Sequence, residues 1–353
     1  MTPSARELQQ EHERSARERL PADVFDYYDA GAGDETTAGE ATAAWSRFRL
    51  RPKVLVDVSS VDLATDLLGT RVATPIAVAP AALHGLAHPD GECATVAGAG
   101  RAGALTVVST RASRRLADIG AAATGPWWFQ AYAMRDPGLT DGLVRRAADA
   151  GARAVVLTVD TPYVGRKPRV AGTRITVPDD QFLINLGPLP GGGVARRELA
   201  EQDPAATTDV IGRLAEASGL PVLVKGVLRG DEAERCVAAG AAGVVVSTHG
   251  GRQLDRVLAS AVALPEVVGA VGGRVPVLVD GGLRSGLDVL TALALGASAV
   301  LVGRPVLWAL GSGGAAAVTT LLESMTDDLR HVMALAGAAD LDHLDPSMVV
   351  GPA

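Results

Sequence analysis

Aromatic residues are scarce in this chain of 353 residues: Phe, Trp and Tyr together make up only 3%. Any core must therefore be filled by Val, Ala and Leu. A hydrophobic content of 48% supplies enough of them for one large α/β domain. Cysteine is scarcer still. Cys93 and Cys236 stand far apart and form no metal-ligand spacing, so reduced thiols in the cytoplasm are the expectation. No run of eighteen apolar residues occurs, and no membrane span is expected. The first twenty residues are charged and polar, unlike a signal peptide. Positive charge is not in excess: the net charge of -7 argues against a general nucleic-acid surface. Lysine is nearly missing. Of 33 basic residues only Lys53, Lys167 and Lys225 are not arginine. In such a chain a lysine is either chance or a place where a compact ammonium is wanted.

What is present is a rhythm. Residues 4–20, 22–30 and 36–46 have helical patterns, 48–57 reads as extended, and 61–73 reads as a hairpin about Gly69-Thr70. This front section, residues 1–74, has no core of its own and reads as an adaptor. Short apolar runs then recur at 75–80, 104–110, 127–133, 154–160, 221–226, 243–250, 275–282 and 299–305. Ala-rich helical segments lie between most of them, for example at 92–101, 140–150, 207–218, 231–239 and 286–295, and a helical tail covers 315–335. Eight such units close most economically into a (β/α)₈ TIM barrel within a single domain over 1–353. An open doubly wound sheet is disfavoured, since no dinucleotide glycine fingerprint opens a helix after a strand. The connection after strand four, residues 161–206, is too long for a simple turn. Its glycine-rich centre, Gly187 to Gly193, reads as part of a mobile lid over the barrel mouth.

Active residues of such barrels sit where strands end. The endings here are Pro80-Ala81-Ala82, Ser109-Thr110-Arg111, Gln130 with Tyr132, Thr158 with Asp160, Lys225-Gly226, His249 with Arg252, Asp280-Gly281-Gly282 with Arg284, and Gly303-Arg304. A lone histidine is more often a satisfied packing residue than a base. Eight polar endings converging on one mouth are harder to dismiss. The last two follow strands seven and eight, where barrels bind phosphate through backbone N–H groups. Glycine permits close approach there, and arginine adds a bidentate fork. Together they favour a phosphate-bearing ligand.

The stretches Leu223-Val-Lys-Gly226, Ser247-Thr-His-Gly-Gly-Arg-Gln-Leu-Asp255, Val279-Asp-Gly-Gly282 and Leu301-Val-Gly-Arg-Pro305 resemble the FMN-dependent α-hydroxy acid oxidase and dehydrogenase family, whose members include glycolate, lactate and mandelate enzymes. Asp26-Tyr-Tyr28, Ala87 to Glu92, Trp128 to Tyr132 and Leu157 to Pro162 extend the resemblance to about residues 20–340. The resemblance implies oxidation of a 2-hydroxy acid, with (S) chirality, to the 2-keto acid. His249 removes a proton and two electrons pass to FMN, then to oxygen or another acceptor. By the same resemblance Asp160 pairs with His249, and Arg252 and Tyr27 hold the substrate carboxylate. Tyr132 lies beside the substrate hydroxyl, and Lys225 stabilises negative charge at one edge of the flavin. Ser109, Gln130, Thr158, Ser247 and the Pro80–Ala82 backbone meet the cofactor. Asp280, Gly282, Arg284, Gly303 and Arg304 belong to its phosphate end. The resemblance also implies a homo-oligomer, a tetramer.

Two positions depart from better-known members. Lys167 stands where a second arginine is usual, keeping the charge but losing the planar fork. Arg111 stands where glycolate oxidases have an aromatic residue; it points either into the mouth or to solvent. Thr248, where Asn is common, is a milder change, and Tyr163 either lines the pocket or only packs. Arg111 and Lys167 are therefore carried as substrate-contacting candidates. Competing readings are an FMN-dependent barrel acting on a larger anionic substrate, a flavin-dependent isomerase, a flavin-free lyase with Lys225 as a Schiff base, and a binding protein.

Overall fold

The computed structural model describes residues 4–172, 175, 177–186 and 197–351. Eight parallel strands close into a barrel. In chain order they are β1 (Ile76–Val78), β2 (Thr106–Ser109), β3 (Trp127–Ala131), β4 (Val155–Thr158), β5 (Val222–Val227), β6 (Gly243–Val246), β7 (Val277–Asp280) and β8 (Ala299–Val302). β8 pairs back onto β1, with Val300 opposite Ile76. Seven strands lie within the apolar run expected for each, and those runs overreach at their C-terminal ends because their last residues already belong to loops; β5 instead extends one residue past its run, to Val227.

Strand periodicity sorts the side chains into two layers. Ala77, Val107, Trp128, Val156, Leu223, Val245, Leu278 and Leu301 form one buried cluster with Leu67 and Val72. These alternate positions fill the barrel, and the hairpin Thr65–Leu67/Thr70–Val72 closes its N-terminal end. The intervening positions, such as Val108, Phe129, Val224, Val244 and Val300, pack outward with the helical layer. Every residue of β2, β3, β4, β6, β7 and β8 is buried. This double burial is why the strands read as unbroken apolar runs.

The front helices fall at Ala5–Arg19, Ala22–Asp29 and Thr36–Ser46. Between residues 48 and 57 only Arg49–Leu50 is a strand, paired with Val349–Val350. Helix Ala5–Arg19 lies along the C-terminal helix, Arg304–Leu335. Ala16, Phe25 and Trp308 make a small core there. The C-terminal helix starts earlier than the expected tail, with Pro305 in its first turn, and breaks at Gly313–Gly314. It is long and apolar enough to cross a membrane by length and composition, but 61% of its most apolar window is buried in the protein. The one G-x-G-x-x-G spacing, Gly98 to Gly103, ends helix Gly91–Arg101 ahead of β2. That is the reverse of the order a dinucleotide site needs. The helices Leu116–Ala122 and Ser260–Val271 complete the ring alongside the helical segments expected. The glycine-rich centre expected in the lid, Gly187 to Gly193, lies outside the described residues.

Candidate active site

The C-terminal ends of the strands open into a cleft of about 510 Å³. It is lined by the Pro80–Ala82 loop, Ser109, Gln130, Thr158 and Lys225 at its base, and by Asp280, Gly282, Arg284, Gly303 and Arg304 at one end. Tyr27, Arg111, Tyr132, Tyr163, Lys167, His249 and Arg252 also line it. Of the candidate site residues, Asp160 and Ser247 do not line the cleft, and both bond to His249. Asp160 Oδ1 accepts from His249 Nδ1 at 2.9 Å, and Ser247 Oγ accepts from the His249 backbone N–H at 3.0 Å. Ser247 also accepts from Lys225 Nζ at 2.7 Å. It is 1% exposed and serves as a hub beneath the site. Ser247 Oγ thus supports both Lys225 and His249.

The turn after β6 explains the two glycines of the motif. His249, Gly250 and Gly251 all have positive φ, at 54°, 63° and 71°. At Gly251 a Cβ would stand 2.6 Å from the Ala38 backbone nitrogen, so no side chain fits. His249 is a non-glycine residue held in the left-handed region, a strain typical of functional sites. The turn is locked from outside by helix Thr36–Ser46. Asp255, the last residue of the motif, accepts from the backbone N–H groups of Asp34 and Thr37, each at 2.9 Å. Those hydrogen bonds hold its carboxyl down to about 2. The sequence reading quoted Asp255 without a role. Its signal was the spacing to an acceptor-hungry helix start, which no local pattern ties to residue 36.

Gly226 was likewise named in the sequence without a role. It lies at a bulge in β5, between Lys225 and Val227, with φ of 108°. A Cβ there would sit 2.6 Å from the Asp160 side chain. The bulge thus makes the space in which Asp160 reaches His249. Burial tends to raise the Asp160 pKa, but the charges and hydrogen bond of His249, with Lys225 behind them, outweigh it. The net effect is a lowered pKa, so Asp160 is an anion. An anionic acceptor at Nδ1 keeps the proton there and leaves Nε2 as the basic nitrogen.

Three arginines, Arg252, Arg284 and Arg304, stand half-buried in the cleft wall. None has a carboxylate within 4 Å among the described residues. Arg252 Nη1 donates to the carbonyls of Tyr28 at 3.0 Å and Ala30 at 2.7 Å. Arg304 donates to Tyr28 O at 3.2 Å and Gly250 O at 2.9 Å. The Tyr28 and Ala30 carbonyls end helix Ala22–Asp29, where the helix dipole favours a cation. Arg284 stands over the Trp308 ring. Burial lowers all three pKa values, and Arg304, with Arg252 as its nearest like charge, falls to about 10. Cations desolvated in this way call for an anionic ligand.

The other half of the cleft has its own vacancies. Gln130 Nε2 and Asp280 Oδ1 are buried and have no partner. Gln130 Oε1 is already taken by Ser109 Oγ and Thr110 N. Lys225 Nζ pairs with Asp280 Oδ2 at 3.0 Å. A bound ligand would need an acceptor at Gln130, hydroxyls near Asp280 and a phosphate near the arginines. FMN, with its ring, polyol chain and phosphate, has that composition.

Around His249 the substrate region is built from Tyr27, Tyr132 and Arg252. The Arg252 guanidinium lies 5.4 Å from the centre of the Tyr27 ring. Burial raises the pKa of both tyrosines, so both are neutral donors. Lys167 Nζ donates to Gly165 O at 3.0 Å, and burial, with Arg252 nearby, lowers its pKa to about 8. Arg111 turns inward: it lines the cleft and stacks on Phe182. Tyr163 lines the cleft too, yet is 72% exposed at its rim.

Residues 16–351 match the FMN-dependent dehydrogenase family. An L-lactate oxidase from Nostoc sp. is 43% identical over 352 residues, covering 96% of each chain. Glycolate oxidase 3 from Arabidopsis thaliana is 42% identical, over 94% of this chain and 92% of that one. A crystal structure of mandelate oxidase with (S)-2-phenylpropionate superposes with a TM-score of 0.88 at 41% identity, covering 97% of this chain and 96% of that one. The eight-strand barrel, the half-buried cations without carboxylate partners and these matches agree: the chain belongs to the FMN-dependent dehydrogenase family.

Proposed function

We propose that this enzyme oxidises a 2-hydroxy acid, of (S) configuration, to the 2-keto acid, with FMN resident in the cleft. The observation that carries the reading is the His249–Asp160 pair at 2.9 Å, set in a cleft that also holds Arg252 and two neutral tyrosines. FMN, when bound, supplies an acceptor for the two electrons that the substrate carbon gives up. Pro80–Ala82, Ser109, Gln130, Thr158 and Lys225 would hold its ring, and Asp280, Gly282, Arg284, Gly303 and Arg304 its polyol phosphate.

The chain's own residues do the rest. Arg252 and Tyr27 bind the substrate carboxylate, and Lys167 adds positive charge beside them. Tyr132 donates toward the substrate oxygen. His249 Nε2 takes a proton from the substrate, and Asp160 stabilises the imidazolium that forms. Lys225, fixed by Ser247 and Asp280, places a compact cation at the base of the cleft, where it opposes negative charge that builds on reduction. The electrons then pass to oxygen, as the oxidase names of the relatives suggest, or to another acceptor.

The assembly is proposed to be a homo-oligomer, a tetramer by family resemblance, in a reducing cytoplasm. The free thiols of Cys93 and Cys236 support the compartment. Exposed apolar residues such as Val54 and Leu55 support the association. The functional test is anaerobic addition of lactate, glycolate and mandelate to the yellow protein, followed by mixing with air. Bleaching by at least one acid and rapid recovery in air are expected. Recovery only with an added dye would make the enzyme a dehydrogenase.

A further inference from the structure

Arg111 is a cation of the cleft that the reading above does not use. Its guanidinium lies 3.9 Å from the centre of the Phe182 ring, and that of Arg197 lies 4.0 Å from the same ring. Arg111 Nη2 donates to the Ala200 carbonyl. Arg111 lines the cleft, and its Nη1 is buried and has no hydrogen-bond partner among the described residues. No carboxylate lies within 4 Å of it among the described residues. The acid nearest in effect, Glu201, is half-exposed and stands 3.9 Å from Arg135. Burial lowers the Arg111 pKa to about 10, so it remains a cation at neutral pH.

A tie to the loop explains half of this fork but not the other half. The stack on Phe182 and the bond to Ala200 would anchor the segment after β4 with Nη2 alone. Nη1 remains desolvated and unpaired, which is costly for a guanidinium unless a ligand completes it. The position is informative too. Tyr27 and Tyr132 each feel both Arg111 and Arg252, and all four line the same cleft. A substrate whose carboxylate lies on Arg252 would extend past the tyrosines toward Arg111. Among the described residues, the cleft there is also lined by Arg135 and Lys167, with Glu201 as the acid beside Arg135.

We infer that the substrate is a 2-hydroxy acid carrying a second carboxylate at its distal end, bound by Arg111 Nη1. This rests on the 2-hydroxy acid reading and narrows it. The experiment uses the FMN-loaded enzyme and length-matched acids: 2-hydroxyglutarate against 2-hydroxypentanoate, and malate against 2-hydroxybutanoate. The kcat/KM ratio of diacid to monoacid should exceed tenfold. Arg111→Met should lower that ratio at least tenfold, Arg111→Lys should restore part of it, and Phe182→Leu should keep it within threefold. In parallel, calorimetry should give 2-ketoglutarate a tighter Kd than 2-ketopentanoate, and Arg111→Met should erase the difference. A ratio at or below one, or one unchanged in Arg111→Met, overturns the inference while leaving 2-hydroxy acid oxidation intact. Failure of every hydroxy acid to bleach the flavin overturns the functional reading instead. The calorimetric comparison then still decides whether Arg111 recognises a second carboxylate.

Discussion

At Asp160, burial and charge pull in opposite directions, and charge wins. The carboxylate therefore stays ionised through the neutral range and fixes the His249 tautomer. Asp160→Asn should keep the shape but lose this control, lowering kcat by about 10²–10⁴-fold; steady-state rates at saturating substrate measure it. Lys167 has the opposite origin of interest. Its pKa, lowered to about 8 by burial with Arg252 beside it, makes it protonated below pH 8 and neutral above. Anionic substrate prefers the protonated form, so kcat/KM should fall as pH rises through about 8. Lys167→Arg should remove that limb, which a pH profile of kcat/KM would show, since this ratio reports groups on the free enzyme. Much of this was legible in the residues: His249, Arg252, Tyr132 and Lys225 stood at strand ends. The direction of Arg111 was not, because it depends on Phe182 and Ala200, which lie 71 and 89 residues away in the chain.

Among elements, the bulged strand β5 has the most specific demand. Gly226→Ala would force a side chain into φ of 108° and against Asp160. The strained backbone alone costs about 1–3 kcal/mol, and displacement of Asp160 should reduce turnover as well. A lower Tm together with a lower kcat is expected; a loss of stability with full activity would contradict the packing argument. Helix Thr36–Ser46 offers a second case, since its backbone N–H groups are capped from the far side by Asp255. Asp255→Ala should cost about 0.5–2 kcal/mol of stability, read as a shift in the denaturant midpoint. The barrel strands were plain in the sequence because nearly all their residues are buried and most are apolar. Where each ended was not, because the polar residues that follow are held by contacts across the mouth. The bond between Ser247 and Lys225 is one.

The whole molecule carries a net charge of -7, yet it sets Arg252, Arg284 and Arg304 half-buried in one wall. Folding without an anion leaves these cations desolvated near one another. FMN binding should therefore stabilise the enzyme; at a free concentration one hundred times its Kd the gain is about 2.7 kcal/mol. Stripping FMN should lower Tm, and inorganic phosphate should recover part of the loss where chloride at equal ionic strength does not. The front helices, which a sequence without its own core marked as an adaptor, turn out to shape the site: the carbonyls of Tyr28 and Ala30 hold Arg252. That long-range closure is invisible to local patterns. The most direct measurement is anaerobic stopped-flow reduction of the FMN-loaded enzyme by a 2-hydroxy acid, in wild type and His249→Asn. The wild-type flavin band should bleach at a rate no slower than kcat, and the variant should retain its FMN but bleach at least 10²-fold more slowly. Equal rates in the two proteins, or a wild-type flavin that no 2-hydroxy acid reduces, would contradict the account.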